Sequence, residues 1–180
     1  MPEKLVVRYC APTLAGLKTG SLFTYPIEED FEKELLQWNR RLNEKGIKML
    51  VLGEKKGKAL VYVYRTKQLE DDLSLVDTIQ ILQEKGYEYI ELEECIKTLK
   101  NRLKKYDVFP HEIGCFLGYP PEDVKGFMKK EKPCKLTGMW KVYGDEKKAK
   151  KLFEQYNKCT DIYLKQYEKG VNIERLTVHL

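Results

Sequence analysis

The sequence predicts an α+β fold, with a small mixed or antiparallel sheet and several packed helices in a single compact domain. Two apolar runs, residues 47–52 and 58–64, flank a glycine-containing segment at 53–57, which is the pattern of a β-hairpin. Apolar residues recur at helical spacing on both sides of this hairpin. Because the predicted strands and helices are segregated along the chain, the pattern favours α+β over a strictly alternating parallel sheet.

Length and composition narrow the class of protein. The 180 residues, 42% of them hydrophobic, suffice for one well-buried core. No apolar run approaches the roughly 20 residues that a membrane span needs, and residues 1–8 lack the apolar segment of a signal peptide. Five cysteines without a Cys-x-x-Cys pair are typical of free thiols in a reducing compartment. The sequence therefore predicts a cytoplasmic protein with no membrane partner.

The first predicted lobe, residues 1–65, runs from a strand through a loop and a helix to the hairpin. Residues 5–10 are apolar at nearly every position and predict a buried first strand, followed by a loop at 11–20. A short strand is predicted at 21–25. Phe31, Leu35, Trp38 and Leu42 then fall at helical spacing and predict a helix, which Gly46 ends as a C-terminal cap.

The rest of the chain is predicted to be mainly helical over 66–133, with a final strand and a long helix in 134–180. Ser74 is the expected N-terminal cap of the first of two helices in the middle part. The final strand is predicted at 135–143, and Asp145 is expected to cap the long helix that follows.

Residues 110–130 have the outline of a helix-turn-helix, since Pro110 and Pro121 can each open a short helix. A DNA-binding helix would, however, present Glu122 and Asp123 first, and these carboxylates would repel the phosphate backbone. The pattern therefore disfavours a nucleic-acid partner. The neighbouring stretch 125–151 carries ten basic and three acidic side chains and can attract an acidic partner.

His111 and Glu112 are the first candidates for chemistry. A histidine beside a carboxylate can serve acid–base catalysis or bind a metal. The motif is not His-Glu-x-x-His, because residue 115 is a cysteine. Adjacent helical residues also point in different directions. The alternative is a histidine in the first turn of a helix that bonds to the backbone or to a neighbouring loop.

The second candidate is the loop predicted after the first strand. A thiol at Cys10, near Lys18, can have a lowered pKa and act as a nucleophile. Thr13 and Gly16 lie in the same segment, where exposed loop amides can hold an anion. The spacing is not that of a phosphate-binding Gly-x-x-x-x-Gly-Lys-Ser/Thr loop. The alternative for Cys10 is a small buried residue that ends a strand.

Three blocks of sequence carry a family resemblance: Cys-Ala-Pro-Thr-Leu-Ala-Gly-Leu-Lys at 10–18, Phe-Pro-His-Glu-Ile-Gly-Cys-Phe-Leu-Gly-Tyr-Pro-Pro-Glu-Asp-Val-Lys-Gly-Phe at 109–127, and Trp-Lys-Val-Tyr-Gly-Asp at 140–145. With these blocks the chain resembles a bacterial family known as domain of unknown function 3793, over nearly its whole length. The resemblance implies no established activity. Cys10, His111 and Glu112 match the family pattern. The position of Cys115 is usually aliphatic in that pattern, which counts against this thiol as a ligand or nucleophile.

The first hypothesis for function is a cytosolic protein that binds a small molecule, an anion or a metal between the 10–18 loop and His111–Glu112. In this site Cys10 would be a nucleophile or ligand and His111 a base or ligand. Glu112 would orient His111. The remaining predicted ligand contacts are Thr13, Gly16 and Lys18. The expected partner is a small anionic ligand or a metal, and the sequence identifies neither a cofactor nor which metal.

The second hypothesis is a non-catalytic module that interacts with a protein or a nucleic acid. It would use the helix-turn-helix-like segment 110–130 together with the basic region 125–151. A third is a structural or regulatory protein without a ligand. The sequence leaves open whether the protein is an enzyme, and it does not fix the oligomeric state.

Overall fold

The computed structural model describes residues 1–88, 90–105 and 109–179. Within these ranges the chain forms an α+β fold with two small antiparallel sheets, as the sequence predicts. The helices are α1 Glu3–Leu14, α2 Phe31–Leu42, α3 Thr66–Leu73, α4 Val76–Glu84, α5 Leu92–Lys105, α6 Ile113–Phe116, α7 Pro121–Lys129, α8 Glu146–Glu168 and α9 Ile173–Leu176. The strands are β1 Gly20–Pro26, β2 Ile47–Lys55, β3 Lys58–Arg65, β4 Leu136–Thr137 and β5 Lys141–Val142. No helix in the described part of the chain is both long and apolar enough to cross a membrane.

The chain divides into two compact units. The first unit comprises residues 1–67 and 156–180, and the second unit comprises residues 68–155. The chain passes from one unit to the other twice, within α3 and within α8. That the whole chain forms a single domain stays a prediction.

The first unit contains a three-stranded sheet in the order β1-β3-β2, with both pairs of strands antiparallel. The predicted hairpin is confirmed as β2 and β3, which are joined through Lys56 and Gly57, both at positive φ. The predicted short strand is confirmed as β1, whose Gly20 lies opposite Tyr64 on β3. The predicted helix that begins near Phe31 is confirmed as α2, but it ends at Leu42, and a 3₁₀ turn at Asn43–Lys45 separates it from Gly46.

The prediction of a strand at residues 5–10 is wrong, because these residues belong to α1. The buried positions Val6, Cys10 and Leu14 recur every four residues, so a helix places them on one face against the sheet. The short apolar run alone fits either structure. Pro12, which suggests a loop, lies inside the helix, so the predicted loop at 11–20 begins only after Leu14.

The core of the first unit lies between α1, α2 and the sheet. Its buried members are Val6, Val7, Cys10, Leu14, Phe23, Phe31, Trp38, Leu42, Ile47, Met49, Ala59, Val61, Val63, Ile173 and Leu176. The short helix α9, which supplies the last two, is not among the predicted elements. Hydrophobic burial on this scale is the main stabilising contribution to the unit.

A buried arginine closes the C-terminal end of α1. The guanidinium of Arg65 donates to the carbonyl oxygens of Thr13 and Leu14, each at 2.6 Å, and to those of Val178 at 2.8 Å and Lys45 at 3.3 Å. The last carbonyls of a helix have no partner within the helix and carry partial negative charge. The guanidinium therefore provides hydrogen-bond donors for the C-terminal carbonyls of α1 and also holds the chain at Val178.

We expect Arg65→Met to lower the free energy of unfolding by about 3 kcal/mol, since several buried carbonyls would lose a charged hydrogen-bond donor. The matched control is Arg40→Met, at an exposed position on α2. This substitution should change the free energy of unfolding by less than about 0.5 kcal/mol. Urea denaturation followed by far-ultraviolet circular dichroism measures both. Equal midpoints for the two variants would contradict this role of Arg65.

The second unit contains the two predicted middle helices, confirmed as α4 and α5. The two short helices predicted from the prolines are α6 and α7. Pro121 opens α7 as predicted, whereas α6 begins at Ile113, three residues after Pro110. The prediction that Ser74 caps α4 is wrong. Its hydroxyl donates to the carbonyl oxygen of Asp71 at 2.7 Å, near the end of α3, and Leu75 is the residue before α4. The carbonyl of Asp71 thus accepts both the hydroxyl and the backbone N–H of Ser74, which keeps the side chain at the end of α3.

The predicted single strand at 135–143 is wrong, since the structure forms a tight hairpin of β4 and β5 there. Gly138 lies in this turn, close to α8. A β-carbon on Gly138 would lie 2.2 Å from a ring carbon of Phe153, so a larger residue would require that ring to move. The predicted cap of the following helix is confirmed, because Asp145 accepts from the backbone N–H of Lys148 at 3.0 Å.

Candidate ligand-binding site

A concave pocket of about 290 Å³ lies within the second unit. Four aromatic side chains provide much of its wall, namely those of Phe109, Tyr119, Phe127 and Trp140. The other lining residues are His111, Ile113, Gly114, Asp123, Val124, Met139 and Lys141. We call this cavity the aromatic pocket. Its lining comes from the segment before α6, from α6, α7 and the turn between them, and from the β4–β5 turn and the start of β5.

The buried carboxylate of Asp123 holds one wall of the aromatic pocket in place. Its Oδ2 accepts from the indole Nε1 of Trp140 at 2.7 Å. Its Oδ1 accepts from the backbone N–H groups of Tyr143 at 2.6 Å and Gly144 at 2.7 Å. Such charge-assisted bonds are stronger than neutral ones. One side chain in the first turn of α7 thereby fixes both the β4–β5 hairpin and the orientation of the indole.

Contacts with two aromatic rings also hold the side chain of Trp140 in place. Its ring stacks on Tyr119 with centroids 4.6 Å apart and meets the ring of Phe153 edge-on at 4.5 Å. Burial raises the pKa of Tyr119, so its phenol stays neutral at physiological pH. Gly114 allows α6 and α7 to approach, because a β-carbon there would lie 2.8 Å from Val124.

Two nitrogen-bearing side chains meet at the ring of Phe127. The ring of His111 packs edge-to-face on Phe127 with centroids 4.7 Å apart. The ammonium of Lys141 lies 5.7 Å from the centroid of the same ring, within cation–π range. His111 and Lys141 therefore bring N–H donors to a pocket whose walls are otherwise largely apolar.

Glu112 has different partners from His111. It is 1% exposed, and its Oε1 accepts from Arg102 Nε at 2.5 Å and from the hydroxyl of Tyr87 at 3.4 Å. Arg102 also donates to the carbonyl of Lys85 at 2.9 Å. Glu112 thus anchors the start of α6 to α5. A direct role in orienting His111 stays a prediction.

The predicted residues of the 10–18 segment lie at the end of α1 and in the turn after it. Cys10 is fully buried, and burial raises the pKa of its thiol to about 12 despite the nearby positive charge of Lys18. Burial lowers the pKa of Lys18 to about 8. Thr13 is buried and shares a 2.9 Å hydrogen bond with Ser21, while Gly16 adopts the left-handed conformation after the helix.

This setting differs from the open loop that the sequence suggests. A helix C-terminus exposes carbonyl oxygens rather than amides, and so suits a cation better than an anion. The structure brings Cys10 and Lys18 into electrostatic contact within the first unit, and it places His111 and Glu112 in the second unit. That both pairs share one site stays a prediction. Across residues 1–88, 90–105 and 109–179, no three His, Cys, Asp or Glu side chains are grouped to hold a metal.

Most residues of the aromatic pocket were not among the predicted site residues, with His111 the exception. The family resemblance nevertheless marks most of these positions in the sequence. Two blocks that carry the family resemblance, 109–127 and 140–145, supply every lining residue except Met139. Taken one at a time, the aromatic residues of these blocks are typical of a core or a strand, because no local sequence pattern shows that they converge on one pocket.

These features define an α+β protein with a preformed aromatic pocket. The chain belongs to the family described as "Protein of unknown function (DUF3793)", whose model matches residues 6–177. This confirms the resemblance seen in the sequence, and the match includes every residue of the aromatic pocket. Comparison with curated proteins and comparison with solved structures both gave no match.

We expect Cys10 to resist alkylation at neutral pH. A thiol with a pKa of about 12 is a thiolate in only about one molecule in 10⁵ at pH 7. Cys134, the half-buried cysteine, should react first with iodoacetamide, while the other buried thiols, Cys95, Cys115 and Cys159, stay unmodified in the native protein. Mass spectrometry at each cysteine between pH 7 and 9 measures this. Alkylation of Cys10 as fast as Cys134 at pH 7 would support the nucleophile hypothesis instead.

We expect Asp123→Asn to destabilise the second unit by about 3 kcal/mol, since the amide group cannot accept from all three donors. The measurement is made in the Trp38→Phe background, where Trp140 is the remaining tryptophan. Its fluorescence emission therefore reports on the unfolding of the second unit in urea. Glu122→Gln, at the exposed neighbouring position, is the control and should shift the midpoint little. Unchanged emission and stability in Asp123→Asn would refute the anchoring role.

Proposed function

We propose that the protein binds a small, flat and mostly apolar molecule in the aromatic pocket of the second unit. The observation that carries this proposal is a cavity of about 290 Å³ walled by four aromatic rings. An apolar cavity of about 150 Å³ holds one benzene molecule, so this volume has room for about two fused rings. It lies at the lower end of the range of small-molecule pockets.

The fixed wall at Trp140 supports a binding function. A carboxylate and two aromatic rings hold the indole, as described above. A wall that is rigid before the ligand arrives loses little conformational entropy on binding, which favours affinity. Apolar walls with a few polar groups are typical of ligand sites. His111 stays in this proposal as a polar contact for the ligand.

The same geometry counts against the nucleic-acid hypothesis. A recognition helix presents its first residues to the bases. Here the first turn of α7 packs on the hairpin, because Asp123 accepts from Trp140 and from the backbone after β5. Lys125, the first lysine of the basic region, is engaged by Asp77 at 2.7 Å and Gln80 at 3.0 Å.

The proposal does not depend on Cys10. The burial and raised pKa of its thiol disfavour a nucleophile at neutral pH. Catalytic roles for Cys10, His111 and Glu112 stay predictions. We also propose that the protein works in the cytoplasm of a bacterium. The family resemblance and the five cysteines without disulfides support this location.

We expect 2-naphthamide, a neutral two-ring probe, to change the emission of Trp140 saturably in the Trp38→Phe variant. Phe127→Ala should weaken this binding by about tenfold, because it removes a ring that the probe would contact. Far-ultraviolet circular dichroism checks that the variant is folded.

A second variant addresses the rim of the aromatic pocket. Met139 is 42% exposed, so Met139→Asp should fold normally yet weaken probe binding by placing a charge beside an apolar ligand. Val76→Asp, at a position 84% exposed and outside the pocket lining, is the control and should leave the affinity unchanged. If neither 2-naphthamide nor its carboxylate analogue binds saturably, the proposed function is wrong.

A further inference from the structure

Three side chains with an ionisable group other than a phenol line the aromatic pocket, namely His111, Asp123 and Lys141. The carboxylate of Asp123 already accepts three hydrogen bonds, from one indole and two backbone N–H groups. These donors offset its charge and occupy its oxygens. The groups that can meet a ligand are therefore the ammonium of Lys141 and the imidazole of His111.

We propose that the aromatic pocket selects planar aromatic carboxylates. The ring system would lie among the aromatic walls, and the carboxylate would pair with Lys141 and accept a hydrogen bond from His111. This inference rests on the proposed function and adds the chemical class of the ligand. Both donors lie beside the ring of Phe127 and line the pocket, and from this shared position we infer that they serve one acidic group.

The position of Lys141 strengthens such a pair. Its ammonium lies over the ring of Phe127 at the edge of an apolar cavity, where the local dielectric is lower than in bulk water. An ion pair in that setting is worth more than one between two fully exposed groups. His111 carries an N–H donor beside the same ring, so it adds a hydrogen bond to the ion pair.

The net charge of the segment that supplies part of the pocket also favours an anionic ligand. Residues 125–151, which supply most of α7, the hairpin and the start of α8, carry a net charge of +7. A cleft bordered by one sign of charge attracts ligands of the opposite sign and repels like-charged ones. The basic region, which the sequence connects with an acidic partner, thus fits an anionic small molecule.

The test compares 2-naphthoate with 2-naphthamide, which share a ring system and differ in charge. In the Trp38→Phe background we expect naphthoate to bind about fivefold more tightly at low salt. The difference should shrink in 0.5 M NaCl, because salt screens the ion pair. Lys141→Met should abolish the preference, because it should weaken the binding of naphthoate more than that of naphthamide. Lys129→Met, an exposed lysine outside the pocket lining, should retain it.

His111→Phe keeps an aromatic ring beside Phe127 and removes the N–H donor, so it should reduce the preference for naphthoate by about twofold. Equal affinities for the two probes in the parent protein, or an unchanged preference in both Lys141→Met and His111→Phe, would overturn the charge selection while the aromatic pocket stands as a binding site. Failure of both probes to bind would overturn the proposed function itself. The two failures are therefore distinguishable.

Discussion

The carboxylate of Asp123 is the interaction on which the candidate site depends. It satisfies the indole N–H of Trp140 and two backbone N–H groups beyond β5 at once, so it fixes a helix, a hairpin and an aromatic wall relative to one another. A buried carboxylate is costly unless donors surround it, and three donors surround this one. Stability and the shape of the aromatic pocket are therefore set by the same contacts.

The first unit has a corresponding anchor in Arg65, with the sign of the charge reversed. There a cation meets carbonyl oxygens at the end of a helix, whereas Asp123 meets N–H groups. Glu112, paired with Arg102, serves the start of α6 in a similar way. These buried charges are satisfied by geometry that the surrounding chain imposes, which explains why residues that resemble catalytic groups in the sequence can be structural.

The division between buried and accessible polar groups also decides which chemistry is open to the protein. Cys10 is enclosed in the core of the first unit, and its thiol stays protonated at neutral pH. His111 and Lys141 instead reach a cavity that a small molecule can fill. An apolar pocket with N–H donors at one ring is suited to recognition, because the rings supply affinity and the donors supply selectivity.

The sequence by itself determined the elements whose signals are local. The β2–β3 hairpin, the helix that begins near Phe31, the paired short helices and the cap at Asp145 follow from turn residues, apolar periodicity and helix-end chemistry. It also pointed to His111. The tertiary structure alone decided that residues 5–10 are helical, because that choice depends on the sheet against which they pack. It alone decided the aromatic pocket, since the rings of Phe109, Phe127 and Trp140 converge through contacts between distant segments, and no local pattern encodes such contacts.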